Sequence, residues 1–275
     1  MLIKGAEFSF VNKFKKIHYP KSEVVTWSKV SQKPLLSMGL LALAIAPGIA
    51  ICIFIYFKDK YNKEPLGLLL MSFIMGMLAI IPAVIIQIFL TRPVEQLMGE
   101  GIFYTAVFSY LIVAFSEEGS KFLAVRILPY RRRSFDDPFD GIVYAVMVSM
   151  GFATLENIGY VLQHGLGTGI LRMFLSVPAH ATFGVLMGYH IGLAKFDPDN
   201  RRRHMILAIF WPVFFHGTFD FFLFLGNGWL YFAGAVISFI VAIKLSLKLI
   251  RKKQEISKNH FVNINTLNKD GHDIL

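Results

Sequence analysis

The sequence predicts an all-α fold, a polytopic transmembrane helical bundle with about seven spans, and three observations support this prediction. First, the 275 residues are 55% apolar and 15% aromatic, and their mean hydropathy of +0.55 lies well above that of soluble globular chains. Second, the apolar residues form long runs, none of which alternates with the two-residue period of barrel strands. Third, basic residues flank these runs, as they do at membrane surfaces.

Several apolar stretches approach or exceed the roughly 20 residues that a helix needs to cross a bilayer. They are 35–57, 66–90, 102–128, 141–162, 170–194, 205–226 and 229–250. The third is the least apolar, because its apolar run stops at Phe115 and resumes at Phe122. It predicts either one spanning helix or a re-entrant pair. Four prolines inside these stretches are expected to kink their helices: Pro47, Pro82, Pro178 and Pro212.

The charge pattern predicts three regions and an orientation. A polar basic tail over 1–34 precedes a membrane domain over 35–250, and a basic tail over 251–275 follows it. The first tail lacks the form of a cleavable signal peptide. Basic loops at 131–133 and 201–203 share a side with the second tail, so the positive-inside rule places that side in the cytoplasm. This assignment places the first tail on the extracytoplasmic side, whereas its lysines favour the cytoplasmic side.

Charged residues interrupt the third stretch where it would lie at membrane depth. Glu117 and Glu118 are adjacent, and Lys121 follows four residues after Glu117, on the same helical face. Glu118 points about 100° away from Glu117, so the two carboxylates face different neighbours. Charged groups inside a bilayer are costly and are typical of sites that line a polar cavity. The stretch therefore predicts a reaction site inside the membrane.

Further polar side chains lie in three other spans, between mid-membrane and the outer surface. Glu156 and Asn157 are in the fourth span, His180 is in the fifth, and His216 with Asp220 is in the sixth. Carboxylates and imidazoles activate water and protonate a leaving amine in peptide hydrolysis, and they also bind zinc. Each group alone also fits a structural role, as an ion pair or hydrogen bond between helices. A purely structural role for all of them at once is less favoured.

Short motifs occur in order between Ala46 and Arg251. They are Ala46-Pro47-Gly48, Lys58-Asp59-x-Tyr61-x-x-Glu64-Pro65, Glu117-Glu118-x-x-Lys121, Phe139-Asp140-Gly141-Ile142-Val143-Tyr144, Gly151-Phe152-Ala153-Thr154-Leu155-Glu156-Asn157, His180 with Gly184 and Gly188, and His216-Gly217-x-x-Asp220. Together they resemble the PrsW family of bacterial intramembrane proteases. The resemblance implies a metalloprotease of the bacterial cytoplasmic membrane, with functional roles for Glu117, Glu118 and His180. It also implies site-1 cleavage of a single-pass membrane anti-sigma factor, which starts the release of a sigma factor under envelope stress.

We therefore predict an intramembrane endopeptidase, with a role for each polar group. Glu117 or Glu118 is the general base toward water, and His180 and His216 bind a metal such as zinc or polarise the scissile carbonyl. The orienting groups are Glu156, Asn157 and Asp220, and Lys121 keeps one carboxylate ionised. Metal-assisted and metal-free mechanisms both stay open. The acidic turn over 136–141 is expected to start a helix and needs no catalytic role.

Two other functions are compatible with intramembrane acids. A proton- or ion-coupled transporter is the main alternative, but such proteins usually have two related halves with paired broken helices, and the sequence has no such repeat. A non-catalytic scaffold that grips a transmembrane helix is the third possibility. The expected partners are the lipid bilayer and a protein substrate. Nucleic acid is not expected, because the net charge of +10 accumulates beside the apolar runs.

Overall fold

A computed structural model of the chain describes residues 34–226 and 228–269, and within these ranges all regular structure is helical. The helices are α1 (Pro34–Lys58), α2 (Leu66–Leu78), α3 (Ile80–Met98), α4 (Ile102–Val107), α5 (Phe115–Ile127), α6 (Asp140–Phe174), α7 (Ser176–Phe196), α8 (Arg201–Phe224) and α9 (Trp229–Lys269). A π-helix over Phe108–Ala114 joins α4 to α5, and a 3₁₀ turn over Pro129–Arg131 follows α5. The all-α prediction is confirmed. Predictions about the N-terminal tail, apart from its last residue, lie outside the described residues.

Five helical stretches in the described ranges are long and apolar enough to cross a membrane, so the expected count of about seven is not confirmed. They are Met38–Lys58, Leu66–Met98, Asp140–Phe196, Arg201–Phe224 and Trp229–Asn259. The stretch predicted over 102–128 is absent from this set. It is divided into α4, the π-helix and α5, and α5 carries three buried charges. The fourth and fifth predicted spans fall within one stretch, Asp140–Phe196.

Helices α6 and α7 form the centre of the bundle and pack antiparallel. A Cβ added at Gly188 would overlap the backbone of Gly141, and one added at Gly184 would lie 2.9 Å from the Cβ of Ser149. The Ser149 hydroxyl also donates a 2.6 Å hydrogen bond to the His180 carbonyl. Small residues drive helix association in lipid because they let backbones approach closely. This contact holds residues 140–154 of α6 buried without a gap.

The remaining helices pack around this pair and expose apolar side chains outward. The backbone of α2 approaches α6 so closely that a Cβ added at Gly151 would overlap the Phe73 carbonyl. On the other side, Phe219 of α8 meets Phe239 of α9 with ring centroids 6.2 Å apart. Large side chains such as Phe89 and Leu230 are 72% and 63% exposed. An apolar exterior of this kind faces lipid, so the chain is a multi-pass membrane protein.

Three helix irregularities shape the bundle. Helix α2 ends at Leu78 and α3 begins at Ile80, because Pro82 has no N–H to donate to the Leu78 carbonyl. Gly165 interrupts α6 with φ of +77°, a conformation that glycine adopts without strain, and the chain after it folds back toward the first part of α6. The π-helix comes directly before the acidic segment of α5, as such irregularities often do at functional sites.

Helix α9 continues beyond the expected membrane boundary at Ile250 and ends at Lys269, so the basic C-terminal segment extends it. The Ser257 hydroxyl donates to Asp137 Oδ2 at 2.8 Å. Gln254 Nε2 donates to the Lys58 carbonyl at 2.5 Å. These contacts fasten the part of α9 beyond Ile250 to the last residue of α1 and to the turn before α6.

The glycine contact between α6 and α7 predicts a strong local sensitivity to side-chain size. We expect Gly188→Ala to lower the free energy of unfolding by about 1–3 kcal/mol, because its Cβ would overlap the backbone of Gly141 and Ile142. Gly159→Ala is the matched control, since nothing lies within 4 Å of its added Cβ. Thermal unfolding in detergent micelles measures both. Equal midpoints would contradict the close α6–α7 packing.

Candidate active site

Four helices bring the predicted polar residues together near one end of the bundle. The residues are Glu117, Glu118 and Lys121 of α5, Glu156 and Asn157 of α6, His180 of α7, and His216 and Asp220 of α8. All of them except Glu156 are buried, and the Glu156 side chain is 17% exposed. We call this set, without Asn157, the buried polar cluster. The site lies at the end of the bundle opposite the basic loops at 131–133 and 201–203.

Lys121 lies at the centre of the buried polar cluster. Its Nζ donates to Glu118 Oε1 at 2.7 Å and lies 3.6 Å from Glu117 Oε2, as the three- and four-residue spacings on α5 dictate. Nζ is also 3.0 Å from His180 Nδ1 and 4.2 Å from the Phe152 ring centroid. Because an ammonium group has only donors, His180 Nδ1 is the acceptor in this contact. The single lysine therefore joins both carboxylates of α5 to the imidazole of α7.

Both imidazoles contact carboxylates. His180 Nε2 lies 2.9 Å from Glu156 Oε2 and, with its Nδ1 accepting, donates that hydrogen bond. His216 Nδ1 lies 2.9 Å from Glu118 Oε1, and its Nε2 lies 3.2 Å from Asp220 Oδ2. The contact with Asp220 is the one that the four-residue spacing on α8 predicts. Each ring therefore has a carboxylate that fixes its orientation.

Two carboxylate oxygens in the cluster lack hydrogen-bond partners. Glu117 Oε2 and Glu118 Oε2 are buried, and no donor among the described residues lies within hydrogen-bond distance of either, although Lys121 Nζ is 3.6 Å from Glu117 Oε2. The other Glu117 oxygen accepts a 3.4 Å hydrogen bond from Gln87 Nε2. Buried polar atoms normally have hydrogen-bond partners, so unpartnered carboxylate oxygens are candidates for a chemical role.

One carboxylate and both imidazoles form a set of donors that fits a metal ion. Glu117, His180 and His216 each offer one ligand atom, and these atoms lie within 4.8 Å of one another. Three nitrogen or carboxylate ligands are the protein contribution to a catalytic zinc site. The unpartnered Glu117 Oε2 supplies a free lone pair for this purpose. The residues present fit the metal that the resemblance implies, and its binding would replace one hydrogen bond of each imidazole, because both nitrogens of His180 and of His216 have partners.

The charge of the cluster also favours a bound cation. The cluster and the adjoining Arg172 contain four carboxylates but two permanently cationic side chains, which leaves two negative charges uncompensated when both imidazoles are neutral. Uncompensated charge is costly away from water. Added protons or a divalent cation would neutralise it.

Sequence reasoning missed Arg172 and Gln87, which both contact predicted site residues. Arg172 Nη2 lies 2.8 Å from Glu156 Oε2, and its Nε donates to Asn157 Oδ1 at 2.9 Å. The guanidinium carbon lies 4.0 Å from the Tyr160 ring centroid. The available signal was a lone arginine within the predicted span over 170–194 and a lone glutamine within 66–90.

Asn157 lies apart from the other predicted site residues. Its Nδ2 donates to the Ala44 carbonyl of α1 at 2.9 Å, and its Oδ1 accepts from Arg172. Its side chain therefore ties α1 to α6 and, within the described residues, is linked to the buried polar cluster through Arg172.

Comparison with known proteins identifies the family. A family model described as PrsW family intramembrane metalloprotease matches residues 64–245, a range that contains every residue of the buried polar cluster. No solved structure matches the chain significantly.

Named relatives agree with the family match. Protease PrsW of Geobacillus kaustophilus is 40% identical over 197 residues, which cover 71% of this chain and 84% of the relative. Protease PrsW of Bacillus subtilis is 38% identical over 70% of this chain and 87% of its own length. Protease PrsW of Clostridioides difficile is 31% identical over 82% of this chain and 94% of its own length. The transporter alternative has no support from these comparisons, and the chain belongs to the PrsW family of intramembrane proteases.

Proposed function

We propose that the buried polar cluster hydrolyses a peptide bond with a water molecule that a glutamate activates. The observation that carries this proposal is the pair of buried, unpartnered oxygens, one on Glu117 and one on Glu118. One oxygen is free to bind a metal, and the other is free to accept a proton. Both requirements of metal-assisted hydrolysis are therefore met by adjacent residues on one helix.

In this proposal Glu117, His180 and His216 hold a divalent metal such as zinc. A metal bound there supplies Lewis acidity, which lowers the pKa of water and polarises a carbonyl. The support is the convergence of their ligand atoms within 4.8 Å and the negative charge of the cluster. Glu156 and Asp220 orient the two rings through their imidazole contacts.

Glu118 is the proposed general base. Lys121 contacts its Oε1 and fixes the side chain, while Oε2 stays free to take a proton from water. The ammonium of Lys121 at 2.7 Å favours the ionised carboxylate. The same carboxyl group would then return the proton to the leaving amine. Glu118 Oε2 alone can therefore accept the proton from water and return it to the amine.

The proposed substrate is a single-pass membrane anti-sigma factor, cleaved at site 1 in the bacterial cytoplasmic membrane. The motif resemblance supports the substrate class. The position of the cluster, at the bundle end opposite the basic loops, supports cleavage near the extracytoplasmic face. The substrate helix must unwind there, because a helix keeps its carbonyls in its own hydrogen bonds.

Two glutamine variants separate the proposed metal ligand from the proposed base. We expect Glu117→Gln to lose both bound metal and cleavage, and Glu118→Gln to keep metal but cleave at least about 100-fold more slowly. Elemental analysis of the purified chain measures metal, and cleavage of a labelled single-pass substrate in nanodiscs measures activity. Glu255→Gln is the control, since Glu255 is exposed on α9. Wild-type rates in both site variants would overturn the proposal.

Arg172 is expected to support catalysis by holding Glu156 against His180. Arg172→Ala should lower kcat about 10- to 100-fold, as loss of an orienting partner commonly does. Arg172→Lys should restore part of the rate, because an ammonium can reach Glu156 but cannot also match the fork that contacts Asn157. The exposed Arg92→Ala is the control. An unchanged kcat in Arg172→Ala would show that Glu156 needs no such support.

The substrate class has its own test. Co-expression of this chain with a tagged single-pass anti-sigma factor should yield a membrane-dependent fragment, and the Glu118→Gln variant should leave the substrate whole. Mass spectrometry of the fragment locates the cut relative to the membrane. Cleavage of an unrelated single-pass protein but not of an anti-sigma factor would overturn the substrate assignment and leave the protease mechanism standing.

A further inference from the structure

A second group of acids lies at the opposite end of α6, about 24 Å along the helix from Glu156. Glu64 comes from the segment between α1 and α2, and Asp136 and Asp140 come from the start of α6 and the turn before it. Each offers a carboxylate oxygen, and these oxygens lie within 4.8 Å of one another. We call these three residues the carboxylate trio. Catalysis in the buried polar cluster does not account for them.

The turn before α6 holds the trio in place. Asp140 Oδ2 accepts the backbone N–H of Asp136 at 2.9 Å and that of Asp137 at 2.7 Å. Phe139 N–H donates to Asp137 Oδ1 at 2.7 Å. These hydrogen bonds orient one Asp140 oxygen toward the turn. They also explain why the acidic turn starts α6, as expected.

The other Asp140 oxygen has no such partner. Asp140 is fully buried, and its Oδ1 receives no hydrogen bond from any described residue. The Asp140 carboxylate contacts that of Glu64, which is itself 3% exposed and accepts a hydrogen bond from the Tyr144 hydroxyl. Two ionised carboxylates cannot hydrogen-bond to each other. A proton or a cation must therefore lie between the Glu64 and Asp140 carboxylates.

Neighbouring lysines direct their ammonium groups to backbone carbonyls and form no direct ion pair with Glu64 or Asp140 in the described part of the chain. Lys63 Nζ donates to the backbone carbonyls of Tyr56 and Asp59, at 2.7 and 2.6 Å. Lys195 Nζ donates to the Tyr130 carbonyl at 2.8 Å. Within residues 34–226 and 228–269, no lysine or arginine pairs with Glu64 or Asp140 at ion-pair distance.

We propose that the carboxylate trio binds a hard divalent cation such as Mg²⁺. Magnesium and calcium prefer oxygen ligands, and magnesium commonly binds one or two carboxylates and completes its shell with water. Asp136 is exposed, which gives an ion and its waters a route from solvent to the buried Asp140 and Glu64. The bound cation would fasten the segment after α1 to the start of α6.

The two sites should differ in metal preference, which makes them separable. The carboxylate trio has oxygen ligands alone, whereas the group in the buried polar cluster contains two imidazoles. Imidazole favours zinc and carboxylate favours magnesium or manganese. A shared proton is the competing explanation for the trio, because burial raises the pKa of Glu64 to about 7.

Manganese binding to the purified full chain in detergent tests the proposal, with electron paramagnetic resonance as the readout of free Mn²⁺. We expect the wild type to bind Mn²⁺ in competition with Mg²⁺, and Asp136→Asn to bind it at least about tenfold more weakly. Glu64→Gln should do the same while keeping an acceptor for the Tyr144 hydroxyl. Asp199→Asn, on an exposed loop, should bind Mn²⁺ as the wild type does.

Each other outcome overturns the cation site. Absence of Mn²⁺ binding at millimolar concentration would leave a shared proton as the explanation. Equal binding by the wild type and Asp136→Asn would place the ion elsewhere. None of these results bears on peptide cleavage, because the measurement is made without substrate.

Discussion

The need to neutralise buried carboxylates within an apolar bundle governs the arrangement of this protein. In the buried polar cluster, Lys121 provides the neutralising charge. Its ammonium contacts both α5 carboxylates and the His180 imidazole of α7. Breaking such a contact leaves a charge without a partner, which is far more costly in a bundle than at a wet surface. Two negative charges remain when both imidazoles are neutral, and added protons or a divalent cation would balance them.

Close backbone packing makes this arrangement possible. Glycines at the α6–α7 contact let the two central helices approach until little space separates their backbones, and this fixes the height of His180 relative to Glu156. The break at Gly165 redirects the last part of α6, so that Arg172 contacts Glu156 in the first part of the same element. Helix irregularities therefore serve the chemistry here, since a straight α6 would carry Arg172 away from the cluster.

Buried carboxylates converge at both ends of α6, but the side chains around them differ. At one end Lys121 contacts imidazole and glutamate side chains, and at the other end Glu64 and Asp140 have no lysine or arginine at ion-pair distance within the described residues. The PrsW family match covers both ends, from residue 64 to residue 245. The proposed metal and the proposed cation would each replace a positive charge that the described side chains do not provide.

Composition and local spacing alone determined that the chain is all-α, that it lies in a membrane, and that Glu117, Lys121, His216 and Asp220 form pairs on their helices. Those properties depend on residues within a few turns of one another. Only the tertiary structure decided that the 102–128 stretch is segmented, that Arg172 supports Glu156, and that Glu64 meets Asp140. These features depend on helix breaks and on contacts between residues far apart along the chain, which helical periodicity does not encode.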